Sequence, residues 1–221
     1  STQQYGRDHS ETATAANNFS VLLMDLNRLP EALALAKQGL ETRRKLFGEE
    51  HPETNSAYLN LAAVYSAMQK PDSAAENYRR ALAGMTRVLG ADHPNTLNAM
   101  MNLAGALEEV GEYVEAERLF RESLAKREEQ EGPDSMNALR TANNLATLLL
   151  RADRMSEAAA LFDRVLPGMR KHMTPDHPDL LTMELNHAMV FRALGRLAEA
   201  RQRVFHQLPR FRQATQCAEH H

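Results

Sequence analysis

The chain has 221 residues, with 26 Lys and Arg against 29 Asp and Glu, a formal net charge of −3 and one cysteine, Cys217. Charges of both signs are interspersed, which is not the basic footprint of a nucleic-acid binder, and one cysteine excludes an internal disulfide framework. No apolar run reaches bilayer length and no signal peptide is visible, so no membrane association is expected of this stretch and a reducing, cytoplasmic compartment is the expectation. The chain starts at Ser1 rather than Met, as a processed or excised piece would.

A phrase returns every 42 residues. His9, His51, His93 and His177 keep this spacing, with Ser135 in the remaining register. Asn18, Asn60, Asn102, Asn144 and Asn186 form an unbroken series, as do Ala32, Ala74, Ala116, Ala158 and Ala200. A fixed period of this size marks stacked supersecondary units, each burying its apolar face on its neighbours. Five units are predicted, at about 5–46, 47–88, 89–130, 131–172 and 173–214, forming one elongated domain over 5–214. The tail 215–221 ends in two histidines that have the look of a purification-tag stub and stands outside the fold argument.

Each unit opens on a stop-and-start signal such as Leu89-Gly90-Ala91-Asp92-His93-Pro94. Gly48, Gly90 and Gly132 suit a left-handed residue closing a helix, and Pro52, Pro94 and Pro178 suit the first turn of the next. Ser135 is itself a good N-cap. First helices are predicted near 10–26, 52–68, 94–110, 136–152 and 178–194. Their apolar stripes, such as Leu61, Val64, Tyr65 and Met68, fall at helical spacing. A turn follows at Asn27, Gln69, Gly111, Asp153 and Gly195, residue types that tolerate left-handed geometry to differing degrees.

Second helices are predicted near 30–46, 72–88, 114–130, 156–172 and 198–213. The Ala series sits there, twelve residues after a second small series of Ser20, Ala62, Ala104, Ala146 and Ala188. Small against small lets two helices approach closely. Four residues after each Ala stand Ala36, Tyr78, Phe120, Phe162 and Val204, mostly large groups that fill the space between helices. Pro167 and Pro209 share a register inside second helices and predict a kink or an early end. Glu184 and His187 replace apolar residues in the fifth unit and read as the polar outer face of a terminal repeat, or as a divergent unit of a longer array.

The helix-turn-helix with these small and large positions resembles the tetratricopeptide repeat. The 42-residue form resembles kinesin-light-chain-type repeats, on Leu89-Gly90-Ala91-Asp92-His93-Pro94-Asn95-Thr96 and Asn102-Leu103-Ala104. The resemblance implies an all-α, right-handed α-solenoid of five helix-turn-helix repeats whose first helices line a concave groove.

The same resemblance implies that Asn18, Asn60, Asn102, Asn144 and Asn186 grip peptide ligands. The alternative is that they tie neighbouring helices together. Asn carries both a donor and an acceptor, so a row of them can hydrogen-bond an extended backbone of any sequence. By the same alignment Val21, Met24, Leu59, Ala63, Met101, Gly105, Asn143, Thr147, Leu185 and Met189 face the groove, a largely apolar and adaptable floor. Asp25, Glu108 and Glu109 lie toward the first three units, whereas Arg140, Arg151 and Arg192 lie toward the last two and predict a partner segment with acidic residues. The first helices carry no Lys, which disfavours the family's carboxylate-clamp subtype.

Catalysis finds no support, because Gly-x-Ser-x-Gly, a Gly-rich phosphate loop and His-Glu-x-x-His are all missing from the sequence. Junction histidines a whole repeat apart cannot share one metal ion at the ~2 Å ligand distance zinc requires, so a capping role is expected and no metal or cofactor. The expected function is therefore a non-catalytic peptide- or protein-binding module. The alternative is a structural or oligomerisation scaffold within a larger, signalling protein.

Overall fold

The helices start and stop where the junction residues dictate. The computed structural model describes residues 10–201, which are helical with short turns and contain no strand among the described residues. The first helices of the repeats are α1 (Ser10–Asp25), α3 (Pro52–Ala67), α5 (Pro94–Val110), α7 (Met136–Arg151) and α9 (Pro178–Ala193). The second helices are α2 (Leu29–Phe47), α4 (Pro71–Leu89), α6 (Tyr113–Glu131) and α8 (Met155–His172). Another helical stretch opens at 197. Every described bound lies within one residue of its sequence prediction. His9, Val204 and Pro209 lie outside the described residues.

The junction histidines are N-caps. Nδ1 of His51, His93 and His177 accepts the backbone N–H of Glu53, Asn95 and Asp179 at 3.2, 3.1 and 3.2 Å. Pro follows at the first helical position, where an N–H has no intrahelical partner to lose. Ser135 caps α7 through its hydroxyl, accepting from the Ala138 N–H at 3.2 Å. Gly48 and Gly90 end α2 and α4 with φ of 86° and 92°, but ψ of 175° and 159° places them in an extended positive-φ region rather than the left-handed one expected. That region is essentially reserved for glycine. The inner turns do use positive φ at a single register: Asn27, Gln69, Gly111, Asp153 and Gly195 have φ between 56° and 89°.

The chain divides into two compact units, 1–119 and 120–221. In the first, α1 packs on α2, α2 on α3, α3 on α4 and α4 on α5, and the first helices α1 and α3 also touch. Its core joins Leu23, Ala32, Ala36, Leu40, Ala57, Tyr58, Leu61, Val64 and Ala81. Ala32, Ala74 and Ala116 and their partners Ser20, Ala62 and Ala104 are fully enclosed, so the helix crossings are as tight as the two small series require. Gly84 adds a close approach of its own, since a Cβ there would lie 2.0 Å from Asn55 Oδ1.

In the second unit α7 packs on α8, α8 on α9, and α7 also touches α9. Phe162, Val165, Leu166, Leu145, Leu148, Leu149, Val190 and Phe191 are buried. The helix α8 runs on through Pro167 to His172, so no early end occurs. Pro167 faces solvent while Val165, Leu166, Gly168 and Met169 beside it are buried, and packing on both sides holds the helix across the missing hydrogen bond. Gly168 permits this fit, because a Cβ there would lie 2.8 Å from Leu139 Cδ2.

The polar pair of the fifth repeat does not form an outer face. Glu184 is 6% exposed and His187 is 0% exposed, both turned onto α8. Glu184 Oε1 accepts from Arg170 Nη2 at 2.6 Å and from Nε at 2.9 Å. His187 Nε2 lies 3.2 Å from Asp163 Oδ1, and its ring sits between Phe162 and Phe191 at centroid distances of 5.5 and 4.4 Å.

Candidate binding face on the first helices

The candidate site is the side of each first helix that carries the Asn register. In α3, α5, α7 and α9 the apolar core stripe is largely buried, which leaves residues at the Asn register and its neighbours accessible; in α1 Phe19, Leu22 and Leu26 of that stripe are exposed as well. In the first unit Asn18 and Asn102 are exposed and Asn60 is half-buried. Val21 is exposed, and Met24, Leu59, Ala63, Met101 and Gly105 are half-buried. The contact between α1 and α3 makes their parts of this face neighbours. In the second unit Asn143, Asn144, Thr147 and Asn186 are half-buried, Leu185 and Met189 are exposed, and α7 lies against α9. The register assigned from sequence to this face is thus partly solvent-accessible in every repeat described.

Two amide atoms on these faces lack protein partners. Asn60 Nδ2 in the first unit is shielded and donates no hydrogen bond within the described residues. Asn143 Oδ1 in the second unit is shielded and accepts none. A buried polar group left without a partner costs about 1–3 kcal/mol, so each atom gains when a complementary group reaches it. Thr147 has a partner already, its hydroxyl donating to the Asn143 carbonyl at 3.0 Å.

The charged residues flank rather than fill these faces. Asp25 ends α1, and Glu108 and Glu109 stand in the last turn of α5. Arg140 is exposed in the second turn of α7, and Arg151 and Arg192 occupy the last turns of α7 and α9, where a cation complements the helix dipole. Eleven residues separate Arg140 from Arg151, about 16 Å along a helix, so these two do not form one cation cluster. Buried Arg127 lies near Arg140: burial holds its guanidinium below the ordinary range, the Glu131 carboxylate opposes that, and the Arg140 charge adds to the lowering.

Periodicity did not reveal one feature of the second helices. Arg43, Met85, Arg127 and Met169 share a register and all are buried. Arg43 reaches the Ala13 carbonyl at 3.2 Å and Glu53 at 3.2 Å. Alternation of Arg with Met at 42-residue steps was the available signal, since a long aliphatic stem fits where Met fits.

No helix among the described residues is long and apolar enough to cross a membrane, and no group of three or more His, Cys, Asp or Glu among them could hold a metal ion.

The tetratricopeptide repeat model matches over residues 11–87, 53–129, 99–171 and 137–204. The chain belongs to the tetratricopeptide repeat family. It is an all-α solenoid of helix-turn-helix repeats, and its solved neighbours include kinesin-light-chain-like repeat proteins. A crystal structure of Podosopora anserina nearly identical TPR-like repeats, of kinesin light chain type, shares 21% identity, covering 94% of this chain and 98% of that one with a TM-score of 0.80. The BtubC (BKLC) structure from P. vanneervenii shares 20% identity, covering 96% and 83% with a TM-score of 0.77. The apo quorum sensor NprR of B. thuringiensis shares 18%, covering 90% and 53% with a TM-score of 0.73. At these identities the likeness is one of fold. No curated protein matches the chain. Repeats of this family commonly serve as protein-interaction modules and are generally non-catalytic scaffolds.

Proposed function

We propose that the accessible faces of the first helices bind an extended peptide or protein segment, without catalysis. The observation that carries this reading is a pair of unpartnered amide atoms on these helices: a donor at Asn60 Nδ2, at the Asn register, and an acceptor at Asn143 Oδ1, one residue before that register. A peptide backbone supplies a C=O and an N–H at every residue, so it can satisfy both kinds of atom whatever its side chains. The mixed apolar surface around them, with Leu59 and Met101 in the first unit, suits apolar ligand side chains. Arg140, Arg151 and Arg192 on the second unit favour acidic ligand residues there. Such exposed charges steer association more than they hold the complex.

The test uses peptides selected for binding to the chain. Asn102→Ala and Asn144→Ala should weaken the peptide by about 1–3 kcal/mol while the melting curve stays in place. Charge reversal at Arg140 and Arg151 should slow association with an acidic peptide at low salt. Unchanged peptide affinity together with a large loss of stability would show that the Asn row is internal scaffolding.

A further inference from the structure

Four glycines stand inside helices among the described residues: Gly39, Gly84, Gly105 and Gly168. A helix interior disfavours glycine more than any residue but proline, so each calls for a reason in the packing. Three have one within the chain. A Cβ at Gly84 would lie 2.0 Å from Asn55 Oδ1 on α3, one at Gly168 2.8 Å from Leu139 Cδ2 on α7, and one at Gly39 3.5 Å from the Ala13 carbonyl oxygen on α1. Each marks a place where a second helix lies close. Gly105 is different. It does not adopt positive φ, and a Cβ there would meet nothing within 4 Å. Neither the packing of the described residues nor the backbone geometry requires glycine at this position.

Its place on α5 is what sets it apart. Gly105 follows Asn102 by three residues and Met101 by four, so it shares their face of the helix. At the same register the other first helices carry Val21, Ala63, Thr147 and Met189. An Asn side chain is short, and a main chain that hydrogen-bonds its amide must come down close to the helix. A bulky residue one turn away holds that main chain off. Next to Asn102 there is no side chain to do so. Beside Asn18 and Asn186 stand Val21 and Met189, both exposed.

We infer that Gly105 is where the main chain of the bound segment comes closest to the protein, and that Asn102 makes the strongest contact of the Asn row for that reason. The inference rests on the peptide-binding reading above and names the part of the ligand recognised at this place. That part is the extended backbone, with its N–H and C=O in reach of the Asn102 amide, rather than a side chain. The ligand residue over Gly105 is then free to be of almost any type but proline, which lacks the N–H.

The probe is the tightest peptide recovered from a random linear library selected on the whole chain. Gly105→Ala and Gly105→Val put a Cβ into open space, and both residues suit a helix better than glycine, so the melting midpoint should hold or rise. The same changes should weaken the peptide, Gly105→Val by at least about tenfold, and Gly105→Ala serves alone if Gly105→Val does not fold. A gain in stability joined to a loss of affinity is not what a merely structural glycine would give. Asn102→Ala should weaken binding more than Asn186→Ala does. In the Gly105→Val background it should weaken binding less than about twofold further, because the main chain is already held away. N-methylation along the peptide backbone should weaken binding sharply at one residue whose side chain tolerates Ala. A peptide that binds Gly105→Val and Gly105→Ala as tightly as the unaltered chain would overturn the inference and leave peptide binding intact. So would sensitivity to side-chain truncation with indifference to N-methylation, which would assign the space over Gly105 to a ligand side chain. Recovery of no peptide would remove the peptide-binding reading and this inference with it.

Discussion

The Ser20 hydroxyl donates a hydrogen bond of 3.0 Å to the carbonyl of Ala32, across the closest approach of α1 and α2. Both residues are fully enclosed. At the same register the other repeats place Ala62, Ala104, Ala146 and Ala188, which leave the facing carbonyl with its own helix alone. The crossing therefore accepts Ala in shape, and Ser adds one buried bond. Ser20→Ala should cost about 0.5–1.5 kcal/mol, the net worth of such a bond, as read by urea denaturation. A loss above about 3 kcal/mol would mean that the hydroxyl does more than bridge these two helices.

Ala116 fills the corresponding place in the third repeat, twelve residues after Ala104, and both are fully buried. Ala116→Leu adds volume where the helices have no room, and should cost roughly 1–3 kcal/mol. Ala83, exposed on α4, provides the control, where the same change should be nearly neutral. Equal denaturation midpoints for the two variants would defeat the small-against-small account.

The junction histidines act through one ring nitrogen. His93→Ala removes the acceptor that holds the Asn95 N–H at 3.1 Å and should cost about 1 kcal/mol. His93→Ser should recover most of that, because Ser135 already performs the role at its own junction. Identical midpoints for the Ala and Ser variants would show that the ring matters for some other reason.

Glu184 and Arg170 are unequal partners, the carboxylate buried and the guanidinium half-exposed. Arg170→Ala leaves a shielded carboxylate without its two hydrogen bonds and should destabilise by roughly 1–3 kcal/mol. Glu184→Met restores the residue type that Met100 has at this register in the third repeat, and frees Arg170 to water. It should be close to neutral, since apolar replacements of buried ion pairs often are. A calorimetric melt in which Glu184→Met is the more damaging change would contradict this ordering.

The 42-residue spacing made the helix bounds, the turn register and the buried small residues legible, because each depends on residues a few places apart in one unit. The fate of Glu184 and His187 was not legible in that way. Their partners Arg170 and Asp163 stand on the previous helix, and a polar residue buried against such a partner looks in sequence like one facing solvent. The early end that Pro167 allowed does not occur, for a related reason: helix propensity is local, whereas the packing of Leu166 and Met169 that carries α8 past it is not. Gly48 and Gly90 were legible as positive-φ stops but not in their ψ, which depends on how the chain reaches the next cap. At the candidate face, exposure at the Asn register could be placed from periodicity. The unmatched atoms of Asn60 and Asn143 depend on rotamers, which spacing does not encode.

The cap at each junction is made by a residue and the backbone just beyond it, so a unit carries its own beginning. Excision of residues 52–93 would set His51 directly before Pro94, recreating the same dipeptide with its ring nitrogen two residues from the Asn95 N–H. Joining His51 to Pro178 would do likewise. A lineage built from such units can lose or gain whole copies without having to invent a new helix start, so its length is free to vary while its local chemistry stays the same.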